Sequence, residues 1–173
     1  MSNPSLSTPP PCHVVITGGA GFLGVRLARS LLARGQLSLA GSAPTPIARI
    51  TLVDRAAPPD DLTADARIAV VIGDLGEILE QKEAVAQAAI IFHLAAAVSG
   101  ECEADFDLGM RSNFAATLAL LQACRSLKTR PMVVFASSLA VFGDAPGQPL
   151  PPAIEDNTLP TPQSSYGIQK FMG

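Results

Sequence analysis

The sequence predicts a doubly wound α/β fold, a parallel sheet covered by helices on both faces. Three observations carry that expectation. Short β-branched runs alternate with segments of helical periodicity along the 173 residues, the order that builds strand–helix–strand units. The runs are apolar throughout instead of alternating, as burial on both faces requires. A glycine-rich turn, Thr17-Gly18-Gly19-Ala20-Gly21-Phe22-Leu23-Gly24, joins the first run directly to the first helical segment.

The first strand is centred on Val14-Val15-Ile16 and closes at the glycines. Leu23, Leu27, Leu31 and Leu32 then recur at helical spacing with Arg26, Arg29 and Arg34 opposite, and Gly35 supplies a stop. A Ser/Pro/Gly-containing connection leads to a second strand, Ile50–Val53, ending at Asp54. Residues 55–66 read as a loop. A third strand, Ile68–Ile72, ends at Gly73-Asp74. A helix is expected over Ile78–Gln87 and a fourth strand over Ala89–Leu94. The longest helical pattern runs from about Asp105 to Leu127, with Met110, Phe114, Leu118, Leu121 and Cys124 as its core stripe. A fifth strand, Met132–Ala136, meets Ser137-Ser138. Residues 144–163 contain six prolines and read as irregular, after which Ser164 caps a last helix. Sheets of this kind have six strands. Five are visible, so the fold is expected to be incomplete: a leader over 1–12, then a nucleotide-binding domain over 13–173 without a C-terminal substrate domain.

Composition narrows the function. Twelve basic and 15 acidic residues give a net charge of −3, against the basic stripe that nucleic-acid binding needs. Hydrophobic residues at 48% and charged residues at 16% exclude charge-driven disorder. The longest nearly apolar run, Ala88–Val98, is about half a membrane span. Three widely spaced cysteines form no CxxC pair and read as reduced thiols, with no metal site. The Ser/Pro-rich start lacks the basic and apolar regions of a secretory signal. A soluble cytoplasmic protein is expected.

In the glycine turn, Gly18 permits the tight bend, Gly21 lets backbone approach a pyrophosphate, and Gly24 lets helix and strand pack closely. The helix start offers free N–H groups and partial positive charge to phosphates. Asp54 is placed to accept hydrogen bonds from adenosine ribose hydroxyls and to repel a 2′-phosphate, which favours NAD over NADP. Arg55, next in the chain, is the residue that could meet such a phosphate. Asp54 follows Gly24 by 30 residues, against about 20 in the usual pattern, and the surplus fits the 36–49 connection. Tyr166 and Lys170 are four residues apart, hence on one helix face. At an effective dielectric of ~20 and ~6 Å, an ammonium stabilises a phenolate there by roughly 2.8 kcal/mol, which suits Tyr166 to general-base work. His93, on an apolar strand, reads as a satisfied core residue, and Glu101, Glu103, Asp105 and Asp107 as a solvated helix start. Cys124 is assigned to packing.

The set TGGAGFLG, Asp54, Gly73-Asp74-Leu75, Phe92-His93-Leu94-Ala95-Ala96, Asn113, Ser137-Ser138 and YGIQK resembles the extended short-chain dehydrogenases/reductases, also called NAD-dependent epimerases/dehydratases, over residues 13–173. The resemblance implies a Rossmann fold and an NAD cofactor held by Gly18, Gly21, Phe22, Leu23, Gly24 and Asp54. It implies that Asp74 and Leu75 flank the adenine and that Leu94, Ala95 and Ala96 run beneath the diphosphate and ribose. Tyr166 would be the acid/base, Lys170 would bond the nicotinamide ribose, and Asn113 would support the active-site helix through a water. Ser138 would hold the reacting oxygen, with Ser137 its nearest rival. Ser137–Gly143 and Pro162–Tyr166 look most like the branch that oxidises the C2 hydroxyl of D-erythronate, a four-carbon sugar acid. A nucleotide-sugar epimerase or dehydratase is the alternative enzyme, and a catalytically inactive dinucleotide-binding fragment the alternative of another class. The family also implies a homodimer through the 105–127 and YxxxK helices. A polypeptide ending at Gly173 is expected to have negligible turnover.

Overall fold

The computed structural model describes residues 11–173, and its sheet grows outward from β1 (Cys12–Thr17), all six residues of which are buried. Val14 and Ile16 enter the core on one side of the sheet and Val15 the core on the other, the period-two alternation of a strand packed on both faces. Because Cys12 opens this strand, the expected leader ends before it. Residues 1–10 of that leader lie outside the described residues.

Helix α1 (Phe22–Arg34) ends where Gly35 takes φ +68° and its N–H bonds the Leu31 carbonyl, the left-handed stop for which glycine is suited. The connection that follows holds β2 (Gln36–Leu37), paired antiparallel with the start of β3 (Thr45–Asp54). A two-residue strand has no periodicity to read, so the sequence shows only a loop there. A single helical turn, α2 (Asp60–Thr63), lies within the expected 55–66 loop. Next come β4 (Ile68–Ile72) and α3 (Leu75–Gln81). This helix starts three residues before the expected Ile78, because the Asp74 carboxylate accepts the Gly76 N–H at 2.9 Å and caps it. It stops at Lys82, which takes φ +57°, short of the expected Gln87.

After β5 (Ile90–His93) come α4 (Ser99–Ala104), α5 (Phe106–Gly109), a π-helical turn (Met110–Ala115) and α6 (Ala116–Ser126). The expected core stripe is corrected here: Leu118 and Leu121 are 44% and 45% exposed. The buried face is Gly109, Asn113, Ala116, Thr117, Leu120 and Ala123. The buried face stands one residue before the expected stripe along the whole segment, because its small residues Gly109, Ala116 and Ala123 let the helix approach the sheet. β6 (Met132–Phe135), a 3₁₀ turn (Leu139–Val141) and α7 (Ser165–Met172) complete the chain.

The parallel strands run β4-β3-β1-β5-β6, with β2 added antiparallel to β3. The five expected strands are thus the five parallel ones. β6 departs from two-faced burial: Met132 and Val134 are exposed. Among the described residues, no helix is long and apolar enough to cross a membrane.

Candidate dinucleotide and catalytic site

At the carboxyl end of β1 the chain turns into α1 within four residues. Gly18 sits at φ +71°, and a Cβ there would lie 2.8 Å from the Ala95 nitrogen, so the turn is pressed against the segment after β5. A Cβ at Gly24 would strike the Gly18 carbonyl oxygen and stand 2.8 Å from the Gly19 Cα. The N–H groups of Gly18 and Gly19 both donate to the Val53 carbonyl, at 2.9 and 3.2 Å. That of Ala20 donates to Asp54 Oδ2 at 2.9 Å. The turn is therefore locked to the end of β3. Gly21 caps α1 without a side-chain bond, and the first turn carries no acidic residue. The leading N–H groups of α1 consequently have no side chain of their own cap to accept them, an arrangement that suits an anion.

That turn forms one wall of a cleft of about 1230 Å³, lined by Gly18, Gly21–Gly24, Asp54, Asp74, Leu75 and Leu94–Ala96 together. Arg55 also lines it, as do Glu77, Lys82, Arg111 and Gln122, which the motifs do not point to. The second Asp54 oxygen accepts the Ala56 N–H at 3.1 Å. Its carboxylate is fixed in place with lone pairs to spare, since an ionised carboxylate offers about four acceptor positions. Bare helix N–H groups, a glycine cradle and an anchored acid fit a dinucleotide.

The expected catalytic side chains stand outside the lining of this cleft. Helix α7 begins at Ser164, whose Oγ accepts the Gly167 N–H at 3.1 Å. Glu103, read from sequence as solvated, reaches across from α4, and its Oε1 accepts the Tyr166 N–H at 3.2 Å. A Cβ on Gly167 would run into the Ala140 carbonyl, so α7 lies tightly on the 3₁₀ turn. Ser138 Oγ caps that turn by accepting the Ala140 N–H at 3.1 Å. Ser138 and Tyr166 are half-buried, whereas Ser137 is exposed. Lys170 is 4% exposed, with its ammonium 4.3 Å from the centre of the Phe135 ring, and burial holds it below the usual lysine range.

Asn113, in the π turn, makes direct contacts to both regions. Its Oδ1 accepts the Ala97 N–H at 2.9 Å while its Nδ2 donates to the Ala97 carbonyl at 3.2 Å. The same Nδ2 reaches Gln169 Oε1 on α7 at 3.3 Å. The sequence reading missed Gln169. Its signal was a polar residue at i+3 from Tyr166, beside the lysine, on the face a helix buries.

His93 is the satisfied core residue expected. Thr117 Oγ1 donates to the Asn113 carbonyl at 2.7 Å, so it accepts from His93 Nε2 at 3.0 Å. Nδ1 is then the acceptor for the Thr17 hydroxyl at 2.6 Å, and Thr17 Oγ1 accepts the Ala95 N–H at 3.3 Å. Each hydrogen bond in the series is donated in the same direction, which fixes one neutral tautomer. Burial, aided by the Lys170 charge, pushes the His93 pKa down to about 4. The burial expected for Cys124 is only partial.

Comparison with known proteins gives the site its context. The chain is 53% identical over 162 residues to D-erythronate dehydrogenase from Cupriavidus necator, covering 93% of this chain and 48% of that protein. It is 41% identical over 164 residues to D-erythronate dehydrogenase from Haemophilus influenzae, covering 92% and 47%. A solved nucleoside-diphosphate-sugar epimerase from Agrobacterium tumefaciens superposes with a TM-score of 0.75 at 37% identity, over 93% of this chain and 46% of that one. The chain spans about half the length of the curated relatives it matches. The model of the NAD dependent epimerase/dehydratase family matches residues 14–173, and the chain belongs to that family.

Proposed function

We propose that this chain is the cofactor-binding part of an NAD-dependent dehydrogenase that oxidises the C2 hydroxyl of a small sugar acid resembling D-erythronate. The observation that carries the reading is the attachment of the Tyr166/Lys170 helix, through Gln169 and Asn113, to Ala97, the residue after the Leu94–Ala96 lining of the glycine-walled cleft. The identity to two D-erythronate dehydrogenases supports the substrate class.

In this reading the first-turn N–H groups of α1 bind the diphosphate, Asp54 receives the adenosine ribose hydroxyls, and Asp74 and Leu75 flank the adenine. Leu94–Ala96 form the floor beneath diphosphate and ribose. NAD, when bound, supplies a nicotinamide able to accept hydride from the substrate carbon. Tyr166 takes the proton of the substrate hydroxyl, and Ser138 donates a hydrogen bond to the same oxygen and holds it. Lys170 stabilises the phenolate by its charge, and its flexible stem lets the ammonium turn from the Phe135 ring toward the nicotinamide ribose. The exposed Leu118, Leu121, Ile168 and Phe171 on α6 and α7 are the apolar surface that a homodimer through these helices would cover.

Binding of NAD by the 173-residue chain, measured by calorimetry, tests the cofactor assignment. NADH appearing from NAD and D-erythronate, with this chain or a longer form containing it, tests the reaction. The second reading, a nucleotide-sugar epimerase, draws on the likeness to the Agrobacterium tumefaciens epimerase. It would show as interconversion of nucleotide sugars without net NADH.

A further inference from the structure

We propose that Gln169 is a positioning residue that ties the tyrosine–lysine helix to the nucleotide-binding wall. The proposal rests on the dinucleotide reading of the cleft and deepens it. Gln169 is 0% exposed, where an apolar side chain would pack without desolvating an amide. Both ends of that amide are engaged: Oε1 accepts from Asn113 Nδ2 at 3.3 Å, and Nε2 donates to the Phe106 carbonyl at 3.3 Å. The fit is close, because a Cβ on Gly109 would collide with the amide.

The position on α7 gives the contact its leverage. Gln169 is three residues after Tyr166 and adjacent to Lys170, so the rotation of α7 about its axis sets the direction of both side chains. Gln169 fixes that rotation against α5 and Asn113. Asn113 in turn holds the N–H and the carbonyl of Ala97, the residue that follows the Leu94–Ala96 lining of the cleft. A displacement of that lining is therefore felt by the helix through two amides, beside the Glu103–Tyr166 bond from α4, while the intervening backbone runs from α4 through β6 and the 144–163 segment.

The test uses ADP, which lacks the nicotinamide ribose and so has no part that reaches Tyr166 or Lys170 in the proposed pose. Hydrogen exchange is followed in peptides covering α1 and α7, with and without ADP, in the wild-type chain, in Gln169→Met and in Gly109→Ala. The methionine keeps the volume and loses both hydrogen bonds, while the alanine displaces an intact glutamine. Wild type is expected to show slowed exchange in both helices on ADP binding. In either variant the slowing in α1 remains, with ADP affinity unchanged within about threefold, and the slowing in α7 falls by about fivefold, the equivalent of one net hydrogen bond. Slowing in α7 that survives in a folded variant overturns the proposal. If Gln169→Met does not fold, Gly109→Ala decides. Absence of ADP and NAD binding by the wild type overturns the cofactor reading itself, a result distinct from persistent coupling.

Discussion

Acidification should destabilise the fold through His93, beginning above the range in which carboxylates ordinarily titrate. An unfolded chain returns this imidazole to an ordinary pKa near 6.5, whereas the folded chain holds it at about 4. Between those values the unfolded state binds more protons, so stability is complete above about pH 6.5 and falls as pH drops toward 4. Protonating the ring would also remove the acceptor at Nδ1 and break the series from Thr17 to Asn113 at its centre. The full difference is worth about 3 kcal/mol, of which about 2 kcal/mol is lost between pH 7 and pH 5. Asp61 and Asp65 are also held below the usual carboxylate range by their arginine partners, but their contribution is lost only below about pH 4, outside the window. His13 is lowered too, by burial and then by Arg49, and acts in the same direction. The assay is urea unfolding at the two pH values for wild type and His93→Gln, since the difference between their slopes isolates His93. The chain has two histidines, so their imidazole resonances can also be followed separately by NMR. A His93 titration midpoint near 6.5, or a pH slope unchanged in the variant, would refute the reasoning.

Other perturbations address the cleft and the helix beside it. Gly24→Ala places a methyl group against the backbone of Gly18 and Gly19. It is expected to weaken NAD binding by at least about tenfold and to lower the melting temperature, in line with overpacking costs of about 1–3 kcal/mol. Asp54→Asn removes the charge that would oppose a 2′-phosphate, and the preference for NAD over NADP should drop by about tenfold, given like-charge terms of about 1–4 kcal/mol at ~4 Å. Competition calorimetry measures it. Ser164→Ala deletes the cap of α7 and should cost about 1 kcal/mol in thermal unfolding. Leu121→Glu should leave the monomer fold intact, because the side chain is exposed, and should dissociate the proposed homodimer in sedimentation velocity.

The parts of this fold legible in the sequence are those whose cause is local. A left-handed glycine stop at Gly35 and a tight β-to-α bend at Gly18–Gly24 follow from conformational limits that act within a few residues. For the same reason the five parallel strands, each an unbroken apolar run, could be found in order. Asp74, which the resemblance places beside adenine, also starts α3 by accepting the Gly76 N–H two residues on, a local cap that the sequence offers. Most of what escaped reading depends on partners more distant in the chain. The stripe Met110, Phe114, Leu118, Leu121 follows the larger apolar side chains, whereas the buried face lies one residue earlier and runs through Gly109, Asn113, Thr117 and Leu120. Small and polar residues on that face carry no hydrophobic signal, and Asn113 is satisfied there only because Ala97, sixteen residues away, meets both ends of its amide. The apolar surface that Leu118 and Leu121 leave on α6 is where the dimer prediction can fail or hold.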